Sequence, residues 1–459
     1  MQRFDNFSTY LRMREEFPVF TYESYHYEFS GETLALKFTF NLSGKYFFHP
    51  LVVIPVKNFF RPQNAFKAGE LDALVFHAGM IELISYWKAA CPATVFIKPH
   101  SLTGEQAAFW KKLYYHGLGE FFYINSIPAD EGSFMNLHAT GPNPLMPFDY
   151  SGTGRMVPVG GGKDSAVTIG LMEKAGLDWL PFALSPVSAT GEVIRTTGKT
   201  RNDTLVFERI IDPMLIELNN RGFLNGHTPF SALLAFYSLL AAYLTGKKDI
   251  VLSNESSANE PTVPGTGINH QYSKSFGFEK DFREYVLKNI SSGFNYFSLL
   301  RPLSELQIAR LFSGMPKFFP HFKSCNAGSK AGIWCGRCPK CLFTFIILSP
   351  FLEPGELTRI FGKNLLNDAS LAGYLDELTG ESPVKPFECI GTVDEVNTAL
   401  AMTVKHYEPE AMPYLLGISS GRINKADSDL FVDIEKQKML KDEHFVPVEY
   451  SNLLEEVLR

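Results

Sequence analysis

Three consecutive glycines, Gly160-Gly161-Gly162, constrain this chain more than any other feature. The apolar run Met156 to Val159 leads into them, and Lys163-Asp164-Ser165 follows at the head of Ala166-Val167-Thr168-Ile169-Gly170-Leu171-Met172, which has helical spacing. The pattern reads strand, glycine turn, helix. A second expected strand, Trp179 to Leu184, follows Gly176 and completes a βαβ unit. Glycines let backbone N–H groups approach an anion closely, and the helix N-terminus adds its partial positive charge. Lys163 and Ser165 add side-chain donors. The spacing matches neither a Walker A loop nor a G-x-G-x-x-G dinucleotide turn.

The stretch resembles the S-G-G-x-D-S pyrophosphate loop of the PP-loop ATP pyrophosphatases, with Gly160 where that pattern has serine. The resemblance implies ATP cleavage between the α and β phosphates and transfer of AMP to a substrate oxygen. It assigns Gly160, Gly161, Gly162, Lys163, Asp164 and Ser165 to the nucleotide.

At 459 residues the chain has material for two or three domains. Its net charge of −6 carries no global basic character, which argues against a nucleic-acid partner. The first residues lack the apolar core of a signal peptide. The longest apolar stretch, Pro229 to Thr245, is shorter than the roughly 20 residues of a membrane span. It reads as a helix buried against a sheet, with Thr228 as N-cap, Pro229 at the first position and Gly246 as its stop. A soluble cytoplasmic protein, with no membrane partner, is expected.

Residues Phe17 to Phe48 alternate as strands around a turn at Ser30-Gly31, and Leu51 to Val56 reads as another strand. Met80 to Ala90 predicts a helix, Ala93 to Ile97 a strand, Gln106 to His116 a helix opened by the capping box Thr103 to Gln106, and Phe121 to Ile124 a strand. His138 to Gly154, rich in Gly, Pro and Asn, reads as a linker. Strands and helices then alternate to about Pro350, and short helices dominate beyond it, the last opened by a capping box at Thr392. The expected domains are residues 1–140 (α+β), 155–350 (α/β, parallel sheet) and 351–459 (helical).

Three further motifs carry chemistry. Cys325, Cys335, Cys338 and Cys341 have the spacing of a closed four-thiolate shell, with structural zinc favoured over an iron–sulfur cluster or a disulfide pair. Such a site would pin the C-terminal lobe. In Asp249 to Thr262 a buried strand ends in the polar loop Ser253-Asn254-Glu255-Ser256-Ser257-Ala258-Asn259, where an open α/β sheet places its ligands. Asn254, Glu255, Ser257 and Asn259 are candidates there for ribose, metal or substrate, or the loop simply caps the next helix. Asn225-Gly226-His227-Thr228, His270 and Arg283 are weaker candidates. In Lys385-Pro386-Phe387-Glu388-Cys389, the cysteine precedes a helix whose N-terminus would favour a thiolate while Glu388 opposes it; a small buried hydrophobe is the plain alternative.

Taken in order, G-G-G-K-D-S, N-G-H-T-P, S-N-E-S-S-A-N, C-G-R-C-P-K-C and K-P-F-E-C resemble the MurL family of ATP-dependent UDP-N-acetylmuramoyl-L-alanyl-L-glutamate epimerases. The resemblance implies a PP-loop domain with an N-terminal α+β domain and a zinc-containing helical C-terminal lobe. It implies a peptidoglycan-precursor epimerase using ATP and Mg²⁺, with UDP-MurNAc-L-Ala-L-Glu as substrate. Asn254 and Asn259 join the nucleotide set, and Cys389, Glu388 and Glu255 are the proton-transfer candidates. The rivals are a nucleobase-modifying enzyme of the deazaguanine-synthase or tRNA-thiolase kind, and a non-catalytic nucleotide sensor.

Overall fold

The computed structural model describes residues 3–420 and 443–458. One mixed sheet of eleven strands runs through it, in the order β11-β10-β7-β8-β9-β4-β2-β1-β5-β6, with β3 beside β2. The strands are β1 Val19–Ser30, β2 Thr33–Leu42, β3 Tyr46–Phe48, β4 Leu51–Pro55, β5 Thr94–Ile97, β6 Asn136–Ala139, β7 Arg155–Pro158, β8 Leu180–Leu184, β9 Leu205–Ile210, β10 Asp249–Leu252 and β11 Asn295–Ser298.

The last five strands form an all-parallel block. Its order from one edge is β9-β8-β7-β10-β11, so the chain winds outward in both directions from β7. In such a sheet the loops leaving the two central strands diverge and open a crevice between them. Here those loops are the glycine run after β7 and Ser253–Asn259 after β10. The motifs meet because the topology reverses at that point.

The N-terminal strands join this block through an antiparallel seam, with Leu51 opposite Ile210 and Val53 opposite Glu208. The strands before and after residues 140–155 thus belong to one continuous sheet. The seam has its own buried ion pair. Glu82, on the helix Ala68–Trp87, takes Arg209 Nε and Nη2 at 2.6 and 2.7 Å and the Tyr237 hydroxyl at 2.8 Å. Tyr237 lies on Phe230–Thr245, the long apolar helix, which is buried along nearly its whole length. A fork-to-fork pair that is fully desolvated needs both partners, so it also fixes the register of helix on sheet.

Several local expectations change. The helix expected from Met80 begins at Ala68. Phe121 to Ile124 is not a strand but part of a short helix, Gly119–Ile124. A four-residue apolar run has no period of its own, and packing decides it. Thr228 does not cap the apolar helix, which starts at Phe230; its hydroxyl accepts from Lys88 Nζ at 2.6 Å instead. Gly246 ends that helix in the left-handed region, as expected. Beyond residue 350 the segments Pro354–Phe361, Ala372–Thr379 and Val393–Val404 are helical. Among the described residues no helix is long and apolar enough to cross a membrane.

Candidate active site

The glycine loop is shaped by close backbone approach. Gly161 has φ +88°, and a Cβ there would lie 2.6 Å from the Thr190 nitrogen and 2.7 Å from the Ala189 carbonyl carbon. No side chain fits. Ser165 locks the turn from within: its hydroxyl donates to Gly162 O at 3.0 Å and accepts from Gly161 N at 3.3 Å. The helix Lys163–Lys174 then starts at the lip of a cavity. Its first amides have no partners within the helix, an arrangement that favours an anion.

Lys163 is buried, and its ammonium bridges two carboxylates, Asp164 and, at 2.6 Å, Glu305 Oε2. Burial alone would lower its pKa, but Asp164 and then Glu305 outweigh that and hold it protonated. Asp164 stays ionised: burial pushes it up, and Lys163 and Lys340 pull it lower. Glu305 is pushed up to about 8, first by burial and then by Asp164 and Glu255, with Lys163 opposing. Glu255 is raised by burial and by Asp164.

Glu395 fastens this knot to the C-terminal lobe. One of its oxygens accepts from Glu305 N at 2.9 Å, the other from Thr392 N at 2.8 Å, and the Ser257 hydroxyl donates to both. Ser257 therefore serves the framework. Asn254 lines the cavity, donating to Ser298 Oγ at 3.1 Å. Asn259 stands outside it, exposed, and accepts from Phe276 N at 2.8 Å at the start of the next helix. Arg283 is also remote, engaged with Tyr296 O and lying over the Phe445 ring.

The segment Lys385 to Cys389 closes the other wall. Lys385 pairs with Glu260 and donates to Gly391 O, Gln271 Nε2 donates to Ile390 O at 2.9 Å, and Lys340 donates to Cys389 O. These bonds hold Cys389 in the wall of the cavity that the glycine loop also lines. Burial pushes the thiol up, but Lys274, His270 and Lys340 overcome it and bring the thiol down to about 5. The helix thought to favour the thiolate begins only at Val393, so side-chain cations supply the charge. Glu388 moves the other way: burial raises it, and its Oε2 accepts from Asn326 Nδ2 at 2.9 Å. Cys91, by contrast, is fully buried and its thiol is pushed up by that burial.

One cavity of about 280 Å³ brings together Gly160, Gly162, Asp164, Lys274, Glu388 and Cys389. It shares Gly160, Phe230 and Leu234 with a second of about 300 Å³, where Leu184 and Val187 extend the apolar face and Lys323, Ser324 and Asn326 supply a polar one. Glu255 does not line either.

The four cysteines converge as expected. Their sulfurs lie 3.7 Å apart for Cys325–Cys338, 3.7 Å for Cys335–Cys341 and 3.5 Å for Cys338–Cys341. Four thiolates about 2.3 Å from a tetrahedral zinc stand roughly 3.8 Å apart, so the cage has the size a zinc ion needs. An iron–sulfur cluster would hold its sulfurs farther apart than this. The cage also positions the chemistry beside it: Lys340 lies between two of the cysteines, and Asn326 follows the first.

Lys274, Glu305, Lys340 and Glu395 escaped sequence reasoning. Lys340 sits inside the C-P-K-C run, and Glu305 follows the capping serine Ser304, so both had local markers; Lys274 had none.

Known families match this chain over most of its length. The model of the MurL N-terminal domain matches residues 12–299, and that of the MurL C-terminal domain matches residues 321–429. A protein of Xanthomonas oryzae pathovar oryzae named UDP-N-acetyl-alpha-D-muramoyl-L-alanyl-L-glutamate epimerase is 39% identical over 337 residues, 72% of this chain and 74% of that protein. Proteins of the same name from Salinispora tropica, at 35% identity over 84% of each chain, and from a Micromonospora strain, at 34% over 84% of this chain and 86% of its own, are also similar. With both domain models matched and relatives of this identity along most of its length, the chain belongs to the MurL family.

Proposed function

We propose that this protein is an ATP-dependent epimerase that inverts the terminal L-glutamate of UDP-MurNAc-L-Ala-L-Glu during peptidoglycan precursor synthesis. One observation carries the reading: the glycine loop and the Cys389 thiolate face a single cavity. Activation of a carboxylate by a nucleotide and removal of the adjacent proton need these two groups within one substrate length. The relatives' names favour this reading over a nucleobase-modifying enzyme or a nucleotide sensor.

The α-proton of a free carboxylate is too weakly acidic for a side-chain base. Transfer of AMP to the α-carboxyl, with release of pyrophosphate, removes its charge. The Cα–H bond then breaks toward Cys389: an S–H bond forms, and the C–H electron pair moves into the acyl carbonyl. The buried carboxyl of Glu388 returns a proton to the opposite face, and proton exchange through solvent resets both groups. A base held low and an acid held high by their surroundings are what such a transfer requires. Hydrolysis of the activated ester then releases AMP and the D-glutamyl product. Glu255, behind Asp164, sets the local charge and lies outside the cavity, which leaves Glu388 as the acid.

The parallel block with its diverging loops fits a PP-loop nucleotide site. The loop amides would take the phosphates, and the apolar face of the second cavity the adenine. Mg²⁺ would be held by the ionised Asp164 together with ATP phosphates, neutralising their charge. Zinc suits the four-cysteine cage and would supply structure only, as its closed shell leaves no open position. The UDP-sugar end is too large for the inner cavity. A contiguous cleft of about 680 Å³, with Arg195 and Arg201 on its wall, offers it room beside the seam with the N-terminal strands.

The test is incubation of UDP-MurNAc-L-Ala-L-Glu with ATP, Mg²⁺ and enzyme in deuterated water, then hydrolysis and chiral analysis of the glutamate. D-Glutamate bearing deuterium at Cα, with stoichiometric AMP and pyrophosphate, is expected. Folded, zinc-loaded protein that yields neither D-glutamate nor AMP would overturn the reading.

A further inference from the structure

Behind Cys389, away from the nucleotide loop, three groups from distant parts of the chain form a second cluster. His270 Nδ1 lies 2.5 Å from Glu120 Oε2, and His227 Nδ1 lies 3.1 Å from the same oxygen. The two imidazole rings are 4.6 Å apart. Glu120 comes from the short helix Gly119–Ile124 of the N-terminal part. That helix is docked on the Cys389 segment, Tyr123 packing on Phe387 with ring centroids 5.4 Å apart. His270 is fastened by its own backbone, His270 N donating to Thr262 Oγ1 at 3.0 Å.

We propose that Glu120 is a positioning residue for the epimerisation: its carboxylate orients the His270 imidazolium, which holds Cys389 as the thiolate facing the substrate cavity. The proposal rests on Cys389 being a proton-transfer group, and it makes the site incomplete without the N-terminal part of the chain.

Electrostatics supports the geometry. Two touching imidazoles cannot both be cations, and the cluster resolves this asymmetrically. Burial, then the charge on His270, brings His227 down to about 4, although Glu120 opposes this. Burial opposes charge on His270 as well, but hydrogen bonds to Cys389 and Glu120 carry it up to about 10. The groups facing these two histidines are Glu120, Cys389 and Lys88; those facing the thiol are His270, Lys274, Lys340 and Glu388. Glu120, His270, Cys389 and Lys274 thus form an alternating row of charges that sums to zero. Removing the first charge leaves an imidazole without its acceptor, and the thiolate loses part of its stabilisation.

Iodoacetamide alkylation of Cys389 as a function of pH, read by peptide mass spectrometry on the full-length, zinc-loaded protein, reports the thiol whether or not the enzyme turns over. In the wild type the midpoint is expected near 5. Glu120→Gln and His270→Asn should each raise it by about one pH unit or more, an approximately tenfold loss of alkylation rate on the acidic side. Glu120→Asp should recover part of the shift, and His227→Asn should leave it small. Thermal unfolding of each variant confirms the fold, and Glu120→Asp serves if Glu120→Gln does not fold. A midpoint that Glu120→Gln leaves in place overturns the proposal, as does a wild-type midpoint in the ordinary thiol range. A second bound metal equivalent, beyond the four-cysteine site and lost in His227→Ala, also overturns it by making the cluster a metal site. A shifted midpoint in Glu120→Gln supports the positioning even if wild-type protein makes no D-glutamate, a result that would remove only the epimerase reading.

Discussion

The ammonium of Lys340, flanked in sequence by Cys338 and Cys341, donates to the carbonyl oxygen of Cys389. The four-sulfur cage and the Cys389 segment are therefore tied directly to one another. On its other side the cage holds Asn326, whose amide donates to Glu388 Oε2. Both proposed proton-transfer residues are tethered to residues that the cysteines hold in place.

Zinc removal should therefore abolish epimerisation before it abolishes nucleotide activation. With one cysteine lost in Cys338→Ser, zinc content should fall from one equivalent toward none, and the melting temperature should drop by about 5 °C or more. Deuterium incorporation at Cα should fall further than ATP–pyrophosphate exchange. The glycine loop is carried by β7 and reaches the cage segment through the Lys323 N to Gly161 O bond at 2.9 Å, whereas Cys389 and Glu388 are held by Lys340 and Asn326, next to the cysteines. Metal analysis with the two assays run in parallel checks this; equal losses would mean that the cage supports the whole molecule indiscriminately.

Lys163 presents a different dependence. In this conformation its ammonium is taken up by Glu305 and Asp164 rather than pointing free at a ligand. Above about pH 8, where Glu305 is ionised, Glu305→Ala removes one of the two partners of a buried cation, and breaking such a pair costs about 3–5 kcal/mol. Urea unfolding should show that loss. Glu305→Gln, which keeps the shape, should cost less. ATP phosphates offer Lys163 a replacement partner, so MgATP should raise the unfolding midpoint of Glu305→Ala more than that of the wild type. An equal rise in both would place Lys163 outside the nucleotide site.

The residues legible in the sequence are those whose chemistry is contiguous. The glycine turn and the four cysteines each carry their pattern in one short stretch, and the structure has the strand–turn–helix and the converging sulfurs those patterns predict. The K-P-F-E-C segment is legible as a motif, but the helix expected directly after it begins only at Val393. What escaped is what arrives from elsewhere. Lys274 lies in an ordinary Tyr-Ser-Lys-Ser stretch, and Glu120 stands just before Phe121 to Ile124, the apolar run read as a strand. Their importance arises only when a short helix of the N-terminal part packs against Phe387. Sheet continuity was hidden for a related reason. The seam between β4 and β9 pairs residues some 160 positions apart, and no local pattern announces such a pairing.

The glycine loop permits a contrast between neighbours. A Cβ at Gly160 would meet nothing within 4 Å, while one at Gly161 would collide with the backbone of Ala189 and Thr190. The serine that the pyrophosphate-loop pattern carries at the first position is thus absent without being sterically excluded, and its hydroxyl could only add a donor. Gly160→Ser should fold normally and retain or improve the apparent affinity for ATP. Gly161→Ala faces both the backbone collision and a φ of +88°. It should displace the loop and lose ATP–pyrophosphate exchange by a factor of roughly a hundred, the scale on which small misplacements act. Because the groups that act on the Cys389 thiol are Lys274, His270 and Lys340 and none belongs to the glycine run, the pH midpoint of thiol alkylation should stay where it is in both variants. A Gly161→Ala protein that exchanges normally would show that the amides of this turn do not hold the phosphates.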